Sequence, residues 1–349
     1  MKTLVLAAML SAAVLPAAGR QSSAIDGTWR AQLQDNWTRN DNRQWINLRL
    51  DRDDNRQFGF SVPIDELEGL GARGERFTAN DVRFSVKRDA GSVAFHGNFN
   101  DGRGTGTWRF APNADFVAAM RKTYGELSAD DVFKLAIHDV SRNFIAAMNQ
   151  EGYPRPSLDE LTKMRIHGVD AVYVQGLRKA GYDKLSVDEL VKTRIHGATP
   201  AFAQEVSSAG LKASVDDLVK MRIHGVTPDF IKEMRSLGYK ELDVDDLVKM
   251  RIHGVSPAFI REMGDLGYKN LALEDAVRMR IHGVTTEFVK ELRGLGYNNV
   301  PVDGLVKMRI HGVTPDFIRD VNAAGFKNMS ADDLVEFSIH GRRWLKKRA

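Results

Sequence analysis

The sequence predicts an α+β multidomain chain, with a small antiparallel β domain over residues 20–112 followed by an all-α helical-hairpin solenoid over residues 113–341. Three observations carry that reading. Apolar residues alternate with others between Ile25 and Ala111, histidine recurs at a near-constant spacing from His138 onward, and each recurrence is framed by helix-capping residues. An apolar leader at residues 1–19 and a basic tail at residues 342–349 flank these two parts.

The leader has Lys2 near its start, an apolar run from Leu4 to Leu15, and the small residues Ala17-Ala18-Gly19. A positive start, an apolar core short for a bilayer span and a small-residue cleavage site predict a secretory signal peptide. The mature chain is expected to be periplasmic or secreted, with no later transmembrane segment. The 349 residues include no cysteine, which excludes disulfides, a lipid-modified cysteine, thiolate metal sites and a cysteine nucleophile. An exported chain of this length must then be stable through packing alone. The net charge is +4, yet Arg342, Arg343, Lys346, Lys347 and Arg348 carry five positive charges, and without them the chain is at −1. The basic character sits in a tail suited to an anionic surface. A nucleic-acid binder spreads positive charge over a face of its fold.

In the β region, Phe58, Phe60, Val62 and Ile64 alternate with other residues, as do Val82, Phe84 and Val86, then Val93 and Phe95. Asn100-Asp101-Gly102, Gly104 and Gly106 mark a turn before Thr107-Trp108-Arg109-Phe110. Five to seven antiparallel strands with one buried face follow, in a sandwich or half-barrel, with a short helical turn over Asp65–Leu70. His96 stands alone among strands and is read as a surface or hydrogen-bonded residue. No helix follows the glycine-rich turn, so it lacks the main requirement of a phosphate loop.

The helical region repeats. Histidine falls at His138, His167, His196, His224, His253, His282, His311 and His340, with intervals of 29 except for 28 between His196 and His224. An aromatic column keeps step at Phe116, Phe144, Tyr173, Phe202, Phe230, Phe259, Phe288 and Phe317. One unit is two short helices. Ser186 with Glu189 is a capping box that opens the first, and Ser128, Ser157, Ser214, Asp243 and Ser330 hold the same place, where Ala272 and Pro301 depart. That helix ends at His-Gly, where glycine suits the left-handed position. The second opens at Thr199-Pro200 and its equivalents and ends at Gly181, Gly210, Gly238, Gly267, Gly296 or Gly325, usually followed by an aromatic. The missing residue lies between Gly210 and Ser214, in a connection. Val215, Leu218, Val219 and Ile223 form the apolar stripe of one first helix, and Phe230, Ile231, Met234 and Leu237 that of the second helix after it. Stacking would bury these stripes between neighbours.

Each histidine sits at a helix C-terminus, where exposed carbonyls and the negative dipole end favour a donor. Imidazoles sharing a metal must converge on one point, whereas stacked repeats hold them about a helix diameter apart. The histidines therefore read as part of the architecture, with no metal and no cofactor implied. The arginine two residues earlier, at Arg165, Arg194, Arg222, Arg251, Arg280 and Arg309, has two readings. It packs its stem while bonding a neighbouring helix end or carboxylate, or it forms a guanidinium row that reads an acidic polymer or peptide. Lys163, Lys192, Lys220 and Lys249 follow Asp159, Asp188, Asp216 and Asp245 by four residues and read as solvated pairs within one helix. The helix, His-Gly-Val, helix segment also resembles the helix-hairpin-helix module, which grips nucleic-acid phosphates. Here Thr199, Thr227, Ser256, Thr285 or Thr314 replaces its second loop glycine.

The repeat I-H-G-V-T-P-x-F-I-x-E-M is similar to arrays in bacterial exported proteins and to C-terminal extensions of membrane zinc peptidases of the beta-lactam-sensor type. Phe58–Leu70 and Gly102–Phe110 likewise look like the small β region before such arrays. The resemblance covers nearly the whole mature chain and implies an architecture. The peptidase part, its zinc motif and its membrane helices are missing, so no catalytic residue carries over.

The resulting expectation is a non-catalytic extracytoplasmic scaffold that binds protein through its helical-repeat surface. Candidate partner-binding residues are Asp229, Ala258, Glu287 and Asp316, which vary between copies, and the row Arg194, Arg222, Arg251, Arg280 and Arg309. Two alternatives come from other classes: a nucleic-acid or anionic-polymer binder using the hairpin loops and arginine rows, and a hydrolase with an unrecognised site.

Overall fold

The structure, a computed structural model, describes residues 25–35, 43–52, 54, 56–71, 74 and 76–341. The expected signal peptide and basic tail lie outside the described residues. Residues up to Ile166 form one compact unit and those from His167 onward a second.

In the first unit, the alternating residues make strands β1 (Ile25–Asp35), β2 (Gln44–Asp51), β3 (Gln57–Pro63), β4 (Leu67–Glu68), β5 (Ala79–Arg88), β6 (Gly91–Asn100) and β7 (Arg103–Pro112). All belong to one curled antiparallel sheet in the order β3-β2-β1-β7-β6-β5-β4, and no second sheet is stacked on it among the described residues. The expected turn over Asp65–Leu70 is shorter: a 3-10 turn occupies Ile64–Glu66, and Leu67 and Glu68 then pair with Val86 and Ser85. The glycine-rich turn is a two-residue hairpin loop, with Asp101 and Gly102 at φ 48° and 75°. A primed hairpin turn requires positive φ at both positions.

The buried face of the sheet is aromatic. Trp29 is fully buried, with Phe84 edge-on at 5.4 Å and Phe95 at 6.0 Å. Four helices follow in this unit: α1 (Ala114–Tyr124), α2 (Ala129–Ile137), α3 (Arg142–Gln150) and α4 (Leu158–Ile166). Helix α2 belongs to the first repeat by register, yet it packs against β1, β6 and β7. Its Phe133 stacks on Trp108 at 5.1 Å and meets Phe58 and Phe110 edge-on at 5.1 and 5.2 Å. Carboxylates add polar ties. Asp89, between β5 and β6, accepts from the Arg142 backbone at 2.8 Å and from its Nη2 at 2.6 Å. Asp130, in the first turn of α2, accepts from Arg52 at 2.6 Å and Arg56 at 2.7 Å.

The second unit holds α5 (Ala171–Lys179), α6 (Val187–Ile195), α7 (Pro200–Ser208), α8 (Val215–His224), α9 (Pro228–Ser236), α10 (Val244–Ile252), α11 (Pro257–Asp265), α12 (Leu273–Ile281), α13 (Thr286–Gly294), α14 (Val302–Ile310), α15 (Pro315–Ala323) and α16 (Ala331–His340). Each packs against the helix two places on, so that α6, α8, α10, α12, α14 and α16 form one row and α5, α7, α9, α11, α13 and α15 another. The caps follow the sequence: Ser186, Ser214, Asp243 and Ser330 make full capping boxes, while Ala272 and Pro301 supply no side-chain cap. Both ends of a hairpin close as Schellman motifs, shown by Val255 N donating to Met250 O at 2.8 Å and Tyr268 N to Met263 O at 2.9 Å.

Neighbouring repeats are joined by polar rows. Tyr182, Tyr239, Tyr268 and Tyr297 donate their hydroxyls to the carbonyls of Ala213, Leu271, Val300 and Met329 at 2.6–2.9 Å, each in the loop one repeat further on. The shortened loop carries Leu211 at the tyrosine position, buried and without a hydroxyl. The lysine row departs from its expected pairing. Lys192, Lys220 and Lys249 bond Asp216, Asp245 and Glu274 on the next first helix. Adjacent first helices pack directly, so the next helix offers each lysine a carboxylate within reach. On the second helices, Arg261 meets Glu233 at 2.5 Å and Arg319 meets Glu291 at 3.2 Å, again across one repeat.

Two outcomes follow. Ala272→Ser places a hydroxyl at an uncapped N-terminus three residues before Asp275, so denaturant unfolding should show a gain of about 1 kcal/mol. Acid should destabilise the first unit. Burial, ahead of the charge of Lys134, lowers His138 below its ordinary 6.5, and hydrogen bonds from Arg142 and Arg52 lower Asp89 and Asp130 below 3.8. A lowered folded-state value means that the unfolded chain binds more protons, so stability falls with pH. The loss begins below about pH 6.5 through His138 and continues below about pH 4 through the two carboxylates. Asp89→Asn should flatten the acid limb of a thermal-melt series.

Candidate functional site

The segment Arg-Ile-His-Gly closes the first helix of successive repeats, and it sets three side-chain types at the same place each time. The arginines come first. Arg194, Arg222, Arg251, Arg280 and Arg309 lay their guanidinium carbons over the rings of Tyr173, Phe202, Phe230, Phe259 and Phe288, at 4.8–5.2 Å from each centroid. Each ring belongs to the second helix of the preceding repeat, and Arg165 does the same over Phe144 in the first unit. The guanidinium edge lies against the left-handed glycine that ends the preceding first helix. A Cβ on Gly225 would stand 3.3 Å from Arg251 Nη2, and one on Gly283 3.1 Å from Arg309 Nη2.

The expected carboxylate or helix-end bond is made by Arg165, which reaches the Asp139 carboxylate at 2.5 Å and the His138 carbonyl at 3.3 Å. In the second unit the five arginines of this row form no side-chain hydrogen bond or ion pair with another described residue. Asp139 has no acidic counterpart in the later copies, where Gly197, Gly225, Gly254, Gly283 and Gly312 follow the histidine. A ring face attracts the cation without consuming its N–H donors, so most of those donors stay open. Arg194, Arg222 and Arg251 are exposed residues, whereas the Nε atoms of Arg280 and Arg309 are buried.

The isoleucine next in sequence overturns an expectation. Ile223, expected on the buried stripe of its helix, is 58% exposed. Ile195, Ile252, Ile281 and Ile310 are exposed by 54–57%, and Ile339 by 46%. The core place goes instead to the residue just after the glycine: Val226, Val255, Val284 and Val313 are all buried. That contact belongs to the Schellman ending and leaves the preceding isoleucine facing outward. Composition and period would have placed it inside. The signal that it lies outside is the glycine two residues later.

The histidines stand at the ends of the first helices: His138, His196, His253, His282 and His311 are C-caps, while His224 and His340 are the last helical residues before a glycine cap. That place is as expected, but the expected reason needs correction. None of the rings from His138 to His311 in this column hydrogen-bonds another described residue. The last carbonyls are taken by backbone N–H groups, as where Gly254 N reaches Arg251 O at 3.2 Å. What remains to the imidazole is the helix dipole and the surface. Among the described residues no group of three His, Asp or Glu side chains is arranged to hold a metal.

The four variable positions lie in the first turn of the second helices. Asp229, Glu287 and Asp316 have side chains exposed by 88%, 74% and 87% and pair with Lys232, Lys290 and Arg319 three residues on. Ala258 is exposed at the equivalent place. These residues are open to contact, but local cations neutralise the three acids. In the first unit, an open cleft of about 960 Å³ is bordered by Asp26, Arg83, Ser85, His96, Thr107 and Arg109. His96 Nε2 bonds Asp81 Oδ1 there at 2.6 Å, and this contact, chiefly, holds the Asp81 carboxyl below its ordinary value.

Gly225→Ala should cost about 1–2 kcal/mol in equilibrium unfolding, because φ is +69° and the new methyl presses on Arg251. No helix among the described residues is long and apolar enough to cross a membrane. No protein-family model matches the chain, and no curated protein is significantly similar to it.

Proposed function

We propose that this protein is a non-catalytic, extracytoplasmic binding scaffold whose partner is another protein. The observation that carries this reading is the isoleucine row: six aliphatic side chains in one register, each 46–58% exposed, on the second unit. Isolated exposed apolar residues are ordinary, but a patterned row of them is a feature of interaction surfaces. A repeat array supplies such a surface by construction, since every added unit adds one more equivalent contact. The leader Met1–Gly19 supports export, and the resemblance of the repeat to arrays in bacterial exported proteins agrees with it.

The test is affinity capture from a cell-envelope extract at several salt concentrations, with mature protein and with an Ile223→Ser, Ile252→Ser, Ile281→Ser variant. The three side chains are exposed, so the variant should melt within a few degrees of the wild type. A specific protein retained by the wild type and lost by the variant is the expected result. Recovery of no specific protein at any salt would overturn the proposal.

A further inference from the structure

We infer that the Arg-Ile-His edge of the second unit binds an extended polypeptide segment carrying carboxylate and aliphatic side chains with a three-residue period. The inference rests on the binding reading above and adds the chemistry of the partner.

Charge gives the first half. The other repeated ionic rows are satisfied locally, as where Lys192 meets Asp216 or Arg261 meets Glu233. The arginine row is not: five guanidinium groups rest on rings and have no carboxylate among the described residues. Arginine presents a planar fork of donors that matches a carboxylate in two parallel bonds. Partial exclusion of water by the ring beneath strengthens such a bond.

The isoleucine beside each arginine gives the second half. An aliphatic surface at every step is matched by an aliphatic side chain and gains little from a sugar or a phosphate. A purely anionic polymer would satisfy the arginines and leave the isoleucines wet. A polypeptide can supply both groups side by side, and the order Arg-Ile in five successive copies, from Arg194-Ile195 to Arg309-Ile310, asks for neighbouring acidic and apolar residues.

Spacing selects the conformation. First helices of adjacent repeats pack directly, so equivalent edge positions stand about 8–10 Å apart. A polyproline II segment advances about 9.3 Å in three residues. A β-strand returns to the same face every 6.6–6.8 Å or so, and falls out of step after two repeats. The five Arg-Ile positions with Ile339 beyond them span about 40–50 Å, which about fifteen residues of polyproline II cover.

The experiment uses the mature full-length protein and fluorescein-labelled peptides read by anisotropy. The probe is five copies of Leu-Glu-Pro, with Leu-Gln-Pro and Ser-Glu-Pro versions as controls and poly-glutamate as a competitor. Saturable binding of the Leu-Glu-Pro peptide should weaken about tenfold with either control peptide. It should also weaken about tenfold with the Ile223→Ser, Ile252→Ser, Ile281→Ser protein. Poly-glutamate should compete poorly. The peptide controls need no change to the protein, so instability of an arginine variant cannot mask the answer. Equal affinity for the Leu-Gln-Pro peptide, or full displacement by poly-glutamate, would overturn the inference. So would no binding of the probe while the envelope partner is still captured and still lost by the isoleucine variant; in that case only the partner chemistry falls. Absence of both peptide and envelope partner would sink the two readings together.

Discussion

A helix of nine residues cannot hold itself in water, and most helices among the described residues are nine residues long. The caps reduce the cost of each end, but they act within one element. What makes the hairpins persist is contact with the next copy. In the second unit those contacts come from several directions: arginine reaches back to a ring, tyrosine reaches forward to a loop carbonyl, and lysine reaches forward to a carboxylate. Each joins a repeat to its neighbour and to none beyond it. Stability in such an arrangement is a sum of local terms and nearest-neighbour terms. A defect in one repeat is therefore expected to weaken its own two junctions most.

The arginine over the aromatic ring is the most telling of these contacts. Its guanidinium group covers the face of an aromatic ring, and the contact crosses from one repeat to the next. The buried Nε atoms of Arg280 and Arg309 have no acceptor, a cost that the ring face offsets in part. One copy shows how tightly the register is tuned. Tyr173 stands in the phenylalanine column, and its hydroxyl needs a buried partner. Thr193 takes the place that methionine holds in most neighbouring copies and accepts that hydroxyl at 3.0 Å, while its own hydroxyl donates to Leu190 O at 2.8 Å. Two departures from the consensus thus cancel, and Arg194 still lies over the tyrosine ring at 4.8 Å.

Local chemistry was readable in the residues, and partner choice was not. Capping boxes, the left-handed glycines and the strand alternation are decided within a few residues, and they appear where the pattern places them. The lysines could satisfy a carboxylate on their own helix or on the next, and spacing along one chain does not separate these. The docking of α2 on the sheet had a visible sign. Phe133 stands where the other copies carry valine or threonine, and Ala136 stands in the arginine column. A repeat that exchanges its ring-covering arginine for alanine and its valine for a ring is adapted to a different neighbour. The candidate edge is half legible: the arginines stand out in the pattern, but the period puts Ile223 on the buried stripe, because period alone cannot register that a Schellman ending hands the core place to the following valine.

That ending bears on which residues matter. The positions that vary, from Asp229 to Ala258, Glu287 and Asp316, sit where a helix start tolerates many residues, so their variety needs no ligand to explain it. The isoleucine is the reverse case. A β-branched residue in the last helical turn is a middling helix former, and leaving its surface in water gains nothing. A polar side chain would serve the fold as well at that place, yet every copy from Ile137 to Ile339 carries isoleucine. In the first copy, packed on the sheet, Ile137 is only 6% exposed. The later copies keep the same residue where about half of its surface stays in water, a choice that packing within the unit does not account for and that contact with another chain would.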